Sequence, residues 1–174
     1  MRQYWVAPLS PLHTADGTAL ANSTTLTDIS PSPSIVIPAN LLEVGSLVRV
    51  KAWGRFSTTA TPTLLIGIYY GGVSGVAVCA TSALTSISGA TNTTWRLEGE
   101  FRVRSVGSSG TVIGAASAYG ITATTAVAMA PATAPATATV DTTAAKALTV
   151  GAQWGTASAS NTITCHHFDV EMVV

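Results

Sequence analysis

Three histidines are the only side chains in this sequence that could act as a general base near neutral pH: His13, His166 and His167. The last two are adjacent, and a regular strand would send their side chains to opposite faces of a sheet. They could then share a metal ion only if a β-bulge turned them together. A structural role is the favoured interpretation, and we predict no metal site.

Carboxylates two positions apart are the second candidate for chemistry. Glu98/Glu100 and Asp169/Glu171 are the only close acidic pairs. On a strand, each pair would lie on one face at about 6.5–7 Å, a separation that could suit an inverting glycosidase. However, arginine flanks the first pair on both sides, so solvated ion pairs explain it better.

Short catalytic and phosphate-binding motifs are missing from the sequence. It contains no Gly-x-Ser-x-Gly elbow, no His-Glu-x-x-His and no Gly-rich phosphate loop. We therefore predict no catalytic residue, no cofactor and no enzymatic activity.

Composition excludes several partners. The chain has 174 residues, of which 9% are charged and 47% hydrophobic, and its net charge is zero. Without a basic excess, the electrostatic drive toward nucleic acid or an anionic membrane is missing. No run of about 18 apolar residues is present, so we predict no membrane span. A surface with so few charges resists self-association poorly, which favours an oligomer.

Two further features of the sequence bear on the compartment. The first eight residues have no apolar stretch typical of a secretion signal, which predicts synthesis in the cytoplasm. Cys79 and Cys165 are too few for a disulfide framework and fit no metal spacing. Two buried thiols are favoured over a bridge between them.

The elements that must position these residues are strands, and segment 95–104 is the clearest. It alternates strictly, which predicts a strand with one wet face. The apolar face would carry Trp95, Leu97, Phe101 and Val103. The charged face would carry Arg96, Glu98, Glu100, Arg102 and Arg104.

Segment 48–56 has the same alternation. Its inward face would carry Val48, Val50, Ala52 and Phe56, and its outward face Arg49, Lys51, Trp53 and Arg55. If the two segments pair, Arg49 or Lys51 would lie opposite Glu98 or Glu100. Trp53 is then an aromatic side chain on a charged face, and we treat it as a candidate partner-binding residue.

Further strands follow at regular spacing. They are predicted at 35–37, 63–70, 76–81, 111–119, 147–154 and 162–174. In the last strand, the apolar residues change parity between Cys165 and Phe168, and a bulge at His166-His167 would return both sets to one face. Many short strands separated by Gly and Ser turns are typical of a β-sandwich or barrel.

Two segments lack this pattern. Residues 1–34 are rich in proline, which predicts an extended arm separate from a sandwich domain at 35–174. Tyr4 and Trp5 in this arm either fold back onto their own domain or anchor a neighbouring subunit. Residues 122–139 are rich in Ala, Thr and Pro, which predicts an exposed loop.

Several turn and strand signatures resemble a group of tailed-bacteriophage virion proteins. They are Ile37-Pro38-Ala39-Asn40, Gly54 to Thr63, Trp95 to Glu98, Asp141 to Thr143 and Gln153 to Ile163. The resemblance spans about residues 35–174. It implies a jelly-roll-like antiparallel β-sandwich that serves as a structural part of the particle, often as a trimeric decoration protein on the head.

The sequence thus favours a non-enzymatic protein that decorates or cements a phage capsid. Its expected partners are the major capsid protein and further copies of itself, with a trimer favoured, on the capsid surface. Two alternatives stay open: a tail-tip or fibre component that contacts the host, and a carbohydrate-binding module that uses Trp53.

Overall fold

The fold is described from a computed structural model of the chain, which covers residues 6–122, 128–130 and 137–173. All regular structure within these ranges is β-strand. The strands are β1 (Val6–Pro8), β2 (Leu20–Ala21), β3 (Thr27–Asp28), β4 (Ile35–Ile37), β5 (Leu47–Ser57), β6 (Thr63–Tyr70), β7 (Val76–Ala80), β8 (Leu84–Thr85), β9 (Thr93–Ser105), β10 (Gly110–Tyr119), β11 (Ala128–Ala130), β12 (Thr137–Val140), β13 (Lys146–Trp154) and β14 (Thr162–Val173).

The strands form two antiparallel sheets that pack face to face. In the first sheet the order is β1-β14-β5-β9-β10-β11, with β2 also paired to β14 and β12 to β10. In the second sheet it is β3-β13-β6-β7, with β4 also paired to β13 and β8 to β6. The predicted all-β sandwich is therefore confirmed.

The core lies between the inward faces that period-two alternation predicts. Its largest fully buried side chains include Trp95, Trp154, Phe56, Phe101 and Phe168. Burial of such a side chain contributes roughly 1.5–3 kcal/mol to stability. The hydrophobic effect on these alternating residues therefore sets which face of each strand is outside.

The predicted pairing of the two charged strands is confirmed. Arg49 lies opposite Glu100 and Lys51 opposite Glu98 in the β5–β9 register. The Arg49 Nε to Glu100 Oε2 distance is 3.8 Å, and both side chains are more than half exposed. Such an exposed pair contributes at most about 1 kcal/mol, so it helps to fix register more than it stabilises the fold.

The predicted bulge in the last strand is also present. The register between β14 and β5 shifts between Cys165 and His167, which keeps the residues on both sides of the shift facing the core. The buried set is Ile163, Cys165, Phe168, Val170 and Met172.

Gly54 of β5 makes room for this bulge. A Cβ atom at this position would lie 1.8 Å from the carbonyl oxygen of Thr164. Trp95 lies opposite Gly54 in the register, and its indole Nε1 donates a hydrogen bond to that same Thr164 oxygen at 3.2 Å. The ring of Trp95 therefore crosses beneath β5 and ties β9 to β14.

Residues 6–34 do not form a separate arm, which corrects the predicted division at residue 34. They are extended, as their prolines require, but they line the edges of the sandwich: β1 and β2 pair with β14, and β3 pairs with β13. Leu20 and Ile29 are buried in the core. Proline-rich backbone is well suited to edge strands, because one side of such a strand needs no ladder hydrogen bonds.

The predicted exposed loop at 122–139 is wrong in part. Residues 128–130 and 137–140 form β11 and β12, and both pair with β10. Residues 123–127 and 131–136 lie outside the described residues. The Ala- and Thr-rich composition suggested a loop because small side chains show no hydrophobic alternation, yet they do not prevent backbone pairing.

Both cysteines are buried thiols, as predicted. Burial raises the pKa of Cys79 and of Cys165 to about 12. Neither thiol is therefore poised to act as a nucleophile near neutral pH.

Candidate functional site

The outward face of the first sheet arranges its polar side chains in cross-strand rows. Each row takes one residue from β14, β5, β9 and β10 in turn, as the registers place them. The first row is Glu171, Arg49, Glu100 and Ala115, and the second is Asp169, Lys51, Glu98 and Ser117. Charges alternate along both rows, so their mutual attraction explains the two carboxylate pairs without any catalytic role.

The third row differs from the other two. It consists of His167, Trp53, Arg96 and Tyr119, and we call it the aromatic row. Trp53 is 41% exposed and Tyr119 is 39% exposed. With strands about 4.8 Å apart, the row extends over roughly 14 Å. Large aromatic side chains exposed on the same face of a sheet are typical of binding surfaces.

Two histidine rings hold the indole of Trp53. The ring of His167 stacks on it at a centroid distance of 5.9 Å and an interplanar angle of 24°. The ring of His166 contacts it at 5.9 Å with a tilt of 50°. Both adjacent histidines reach the same tryptophan because the bulge breaks the alternation of the strand. The bulge therefore positions side chains on the outer face as well as in the core.

His166 is fixed from its other side by the N-terminal segment. Its Nδ1 atom lies 2.9 Å from Asp16 Oδ2. Asp16 is held in place because the backbone N–H of the next residue, Gly17, donates to the carbonyl of Cys165. Two segments that are far apart in sequence thus converge at the bulge.

Open pockets lie at both ends of the aromatic row, one at β14 and β5 and the other at β9 and β10. One, of about 530 Å³, is lined by Asp16, Trp53, Arg55, Phe56, Asn92, Thr162, Thr164 and His166. The other, of about 480 Å³, is lined by Thr94, Trp95, Arg96, Glu98, Tyr119 and Gly120. Together with the row they form a continuous aromatic and polar surface across four strands.

The two arginines of this surface differ in their partners. Arg96 lies 3.5 Å from Glu98 and is therefore partly neutralised. Arg55 makes no ion pair with any residue that the structure describes. A guanidinium without a carboxylate partner is available to an anionic group of a ligand.

Within the described residues, no hydroxyl or thiol is hydrogen-bonded to His166, the histidine that Asp16 orients. A histidine oriented by a carboxylate needs a nucleophile within hydrogen-bond reach. The pocket hydroxyls are those of Thr162 and Thr164, and within the described ranges neither is hydrogen-bonded to His166. Residues 6–122, 128–130 and 137–173 also contain no group of three or more His, Cys, Asp or Glu side chains that could hold a metal ion.

The third histidine, His13, lies close enough to His167 and Asp169 for their charges to shift its pKa. Burial lowers the pKa of His13, a positive charge on His167 lowers it further, and Asp169 acts in the opposite direction. In the described part of the chain its Nε2 atom is buried without a hydrogen-bond partner. Protonation of this side chain is therefore easier in the unfolded chain than in the fold.

The lowered pKa of His13 makes the free energy of unfolding depend on pH. Below the unfolded-state pKa of about 6.5, the unfolded chain binds more protons, so the free energy of unfolding falls as pH falls toward the folded-state pKa. We expect His13→Gln to lose less stability between about pH 7 and pH 5 than the parent protein. Urea unfolding at a series of pH values measures this. Leu12→Gln, on an exposed neighbour, should keep the parent profile, and equal slopes for parent and His13→Gln would contradict the prediction.

The outward face of the second sheet has the opposite character. Within the described residues we call this the neutral face: its accessible side chains include Val36, Leu65, Ala77, Ala80, Ala147 and Gln153, whereas Tyr69 and Thr149 are buried within the chain. Its charged neighbours in the described strands are Asp28, at the edge formed by β3, and Lys146, at the beginning of β13. Tyr69 lies over Gly151, where a Cβ atom would be 2.6 Å from its ring. Val36 is 51% exposed.

Sequence reasoning found only part of this site. Trp53 is exposed on the charged face, as predicted, whereas Tyr4 and Trp5 lie outside the described residues. Asp16, Arg55 and Tyr119 were not singled out as site residues. The parity change at His166-His167 predicted a bulge in β14, the strand that pairs with β5. That bulge was the sequence feature from which the contacts of both histidines with Trp53 could have been expected.

Comparison of the chain with known protein families and with curated protein sequences finds no match. The described residues contain no helix long and apolar enough to span a membrane.

Proposed function

We propose that this protein is a non-enzymatic structural component of a tailed-phage virion. It decorates or cements the capsid by binding major capsid protein subunits as a homo-oligomer, with a trimer favoured. It is made in the host cytoplasm and resides on the capsid surface. The resemblance of residues 35–174 to virion proteins is the starting point, and the distribution of charge over the sandwich carries the proposal further.

The separation of charge between the two outer faces is the observation that supports an assembled protein. Most charged side chains lie on the outward face of the first sheet, where alternating rows neutralise them. The neutral face of the second sheet carries apolar and small polar side chains instead. Because interface cores are depleted in charged residues, the neutral face is suited to contact with another subunit.

Strand order supports the jelly-roll part of the proposal. From β4 to β6 the chain alternates between sheets, and the two final long strands, β13 and β14, insert between the early strands of the second and first sheets, respectively. Nested pairing of early and late strands is what a jelly roll requires, and this architecture recurs in viral capsid proteins. The strands β10 to β12 would be an extension of that pattern at one edge of the first sheet.

Reconstitution on particles tests the proposal. Virions that lack this chain are incubated with purified protein, sedimented, and assayed for bound protein. The parent protein is expected to bind as an oligomer, and Val36→Glu to remain folded but lose binding, because it places a charge on the neutral face. Val44→Glu introduces the same charge on an exposed loop valine and should bind like the parent.

Two results would overturn the proposal. One is a monomeric protein that does not bind the particles at any concentration. The other is immunogold labelling of intact virions at the tail tip and not on the head, which would favour the tail or fibre alternative.

A further inference from the structure

We propose that the aromatic row and Arg55 form a binding site for a saccharide that carries a carboxylate group. The inference goes beyond the capsid role and does not depend on it, since the row lies on the charged sheet and the neutral face on the other. It rests on three features of the first sheet: a pre-positioned indole, adjacent hydrogen-bonding groups and an unpaired cation.

The indole is exposed yet held in place. Trp95 and Trp154 are fully buried, whereas Trp53 leaves 41% of its surface in solvent. Contacts with His166 and His167 restrict its rotation, so a ligand would not need to order it on binding. A sugar ring has an apolar face of C–H groups, and the flat face of an indole is complementary to it.

Polar groups surround this platform where sugar hydroxyls would lie. The Asp16 carboxylate and the His166 imidazole are fixed to each other, and the hydroxyls of Thr162 and Thr164 line the same pocket. On the other side, Tyr119 and Arg96 continue the row. An aromatic platform bordered by a few converging donors and acceptors is typical of a small-ligand site.

Charge selects an acidic sugar over a neutral one. Asp16 is paired with His166 and Glu98 with Arg96, so the acidic groups of the site are already occupied. Arg55 makes no ion pair with a described residue, and its planar guanidinium can donate two parallel hydrogen bonds to a carboxylate. A polyphosphate chain fits less well, because it has no apolar C–H face to place against the Trp53 indole.

Matched saccharides test this proposal. The full chain is titrated with oligogalacturonate, with its fully methyl-esterified form, which has the same rings without the charge, and with polyglutamate, which has the charge without the rings. Binding is followed by the NMR signal of the Trp53 indole N–H and by calorimetry. We expect oligogalacturonate to bind, the methyl ester to bind about tenfold more weakly, and polyglutamate not to move the indole signal.

Variants of the site provide the second arm of the test. Trp53→Ala and Arg55→Gln should each weaken oligogalacturonate binding about tenfold or more. Lys51→Gln removes an exposed cation from the same face of β5. Lys51 lies one row from Trp53, on the side away from Arg55, and this variant should bind like the parent. Circular dichroism and the unfolding midpoint verify that each variant is folded.

Several results would overturn the proposal. They are the absence of any indole shift with oligogalacturonate, equal binding of the acid and its methyl ester, equal binding of polyglutamate, and equal loss in Lys51→Gln and Arg55→Gln. The last two outcomes would reduce the effect to attraction of any polyanion to the charged face.

Discussion

Replacing Trp95 by alanine is expected to lower the free energy of unfolding by about 3–5 kcal/mol, enough to unfold much of a marginally stable domain. The side chain is completely buried, and its ring crosses beneath β5 to donate a hydrogen bond to the Thr164 carbonyl. The substitution therefore removes a large apolar volume and a link between two strands that are not neighbours. Urea unfolding followed by far-ultraviolet circular dichroism measures the loss.

Phenylalanine variants separate volume from hydrogen bonding. Trp95→Phe keeps most of the ring but loses the bond, which should cost roughly 1–2 kcal/mol beyond the loss of volume. Trp154 is equally buried, and within the described residues its Nε1 atom has no hydrogen-bond partner. Trp154→Phe should therefore be the milder of the two. Equal losses would show that the bond to Thr164 contributes nothing to stability.

Gly54→Ala is expected to destabilise the fold by about 3 kcal/mol although it adds a single methyl group. The new Cβ atom would overlap the Thr164 carbonyl oxygen, a backbone atom that can move only if β14 shifts away from β5. That shift would also displace the acceptor of the Trp95 hydrogen bond and the histidines that hold Trp53. Unfolding midpoints and the indole signal of Trp53 should change together.

Gly89→Ala is the matched control for this variant. It lies at a φ of +65°, but a Cβ atom there meets no atom within 4 Å, so only the backbone conformation is penalised. We expect a loss of about 1–2 kcal/mol and an unchanged Trp53 signal. If Gly54→Ala were no worse than Gly89→Ala, the close approach of β14 to β5 would not be a real constraint.

The long strands could be predicted from the sequence because each alternates between core and solvent. In β9 every second residue from Trp95 to Val103 is apolar or glycine. The charges between them predicted pairing with β5 but left open which of Arg49 and Lys51 lies opposite Glu98 and which opposite Glu100, and the structure decides this register. The parity change around His166 even located the bulge. Alternation and its interruption are patterns of consecutive residues, so both can be read from a single sequence.

The short edge strands and the full site could not be predicted in this way. Strands such as β2 and β8 have two residues, too few to show any alternation. Asp16 meets His166 only because the N-terminal segment follows the edge of β14, and no local pattern encodes that path. Arg55 became a candidate only once the ion pairs of its neighbours were known, since the sequence alone cannot assign partners among several arginines and glutamates.

The pairing of Val6 with Val173 has a practical consequence. Because these positions lie opposite each other on adjacent strands, a short linker could join Val6 directly to Val173 and allow the chain to be opened elsewhere, for example in the turn between β6 and β7. The described strands should keep their pairing in such a circular permutant, whose new ends would lie at that turn.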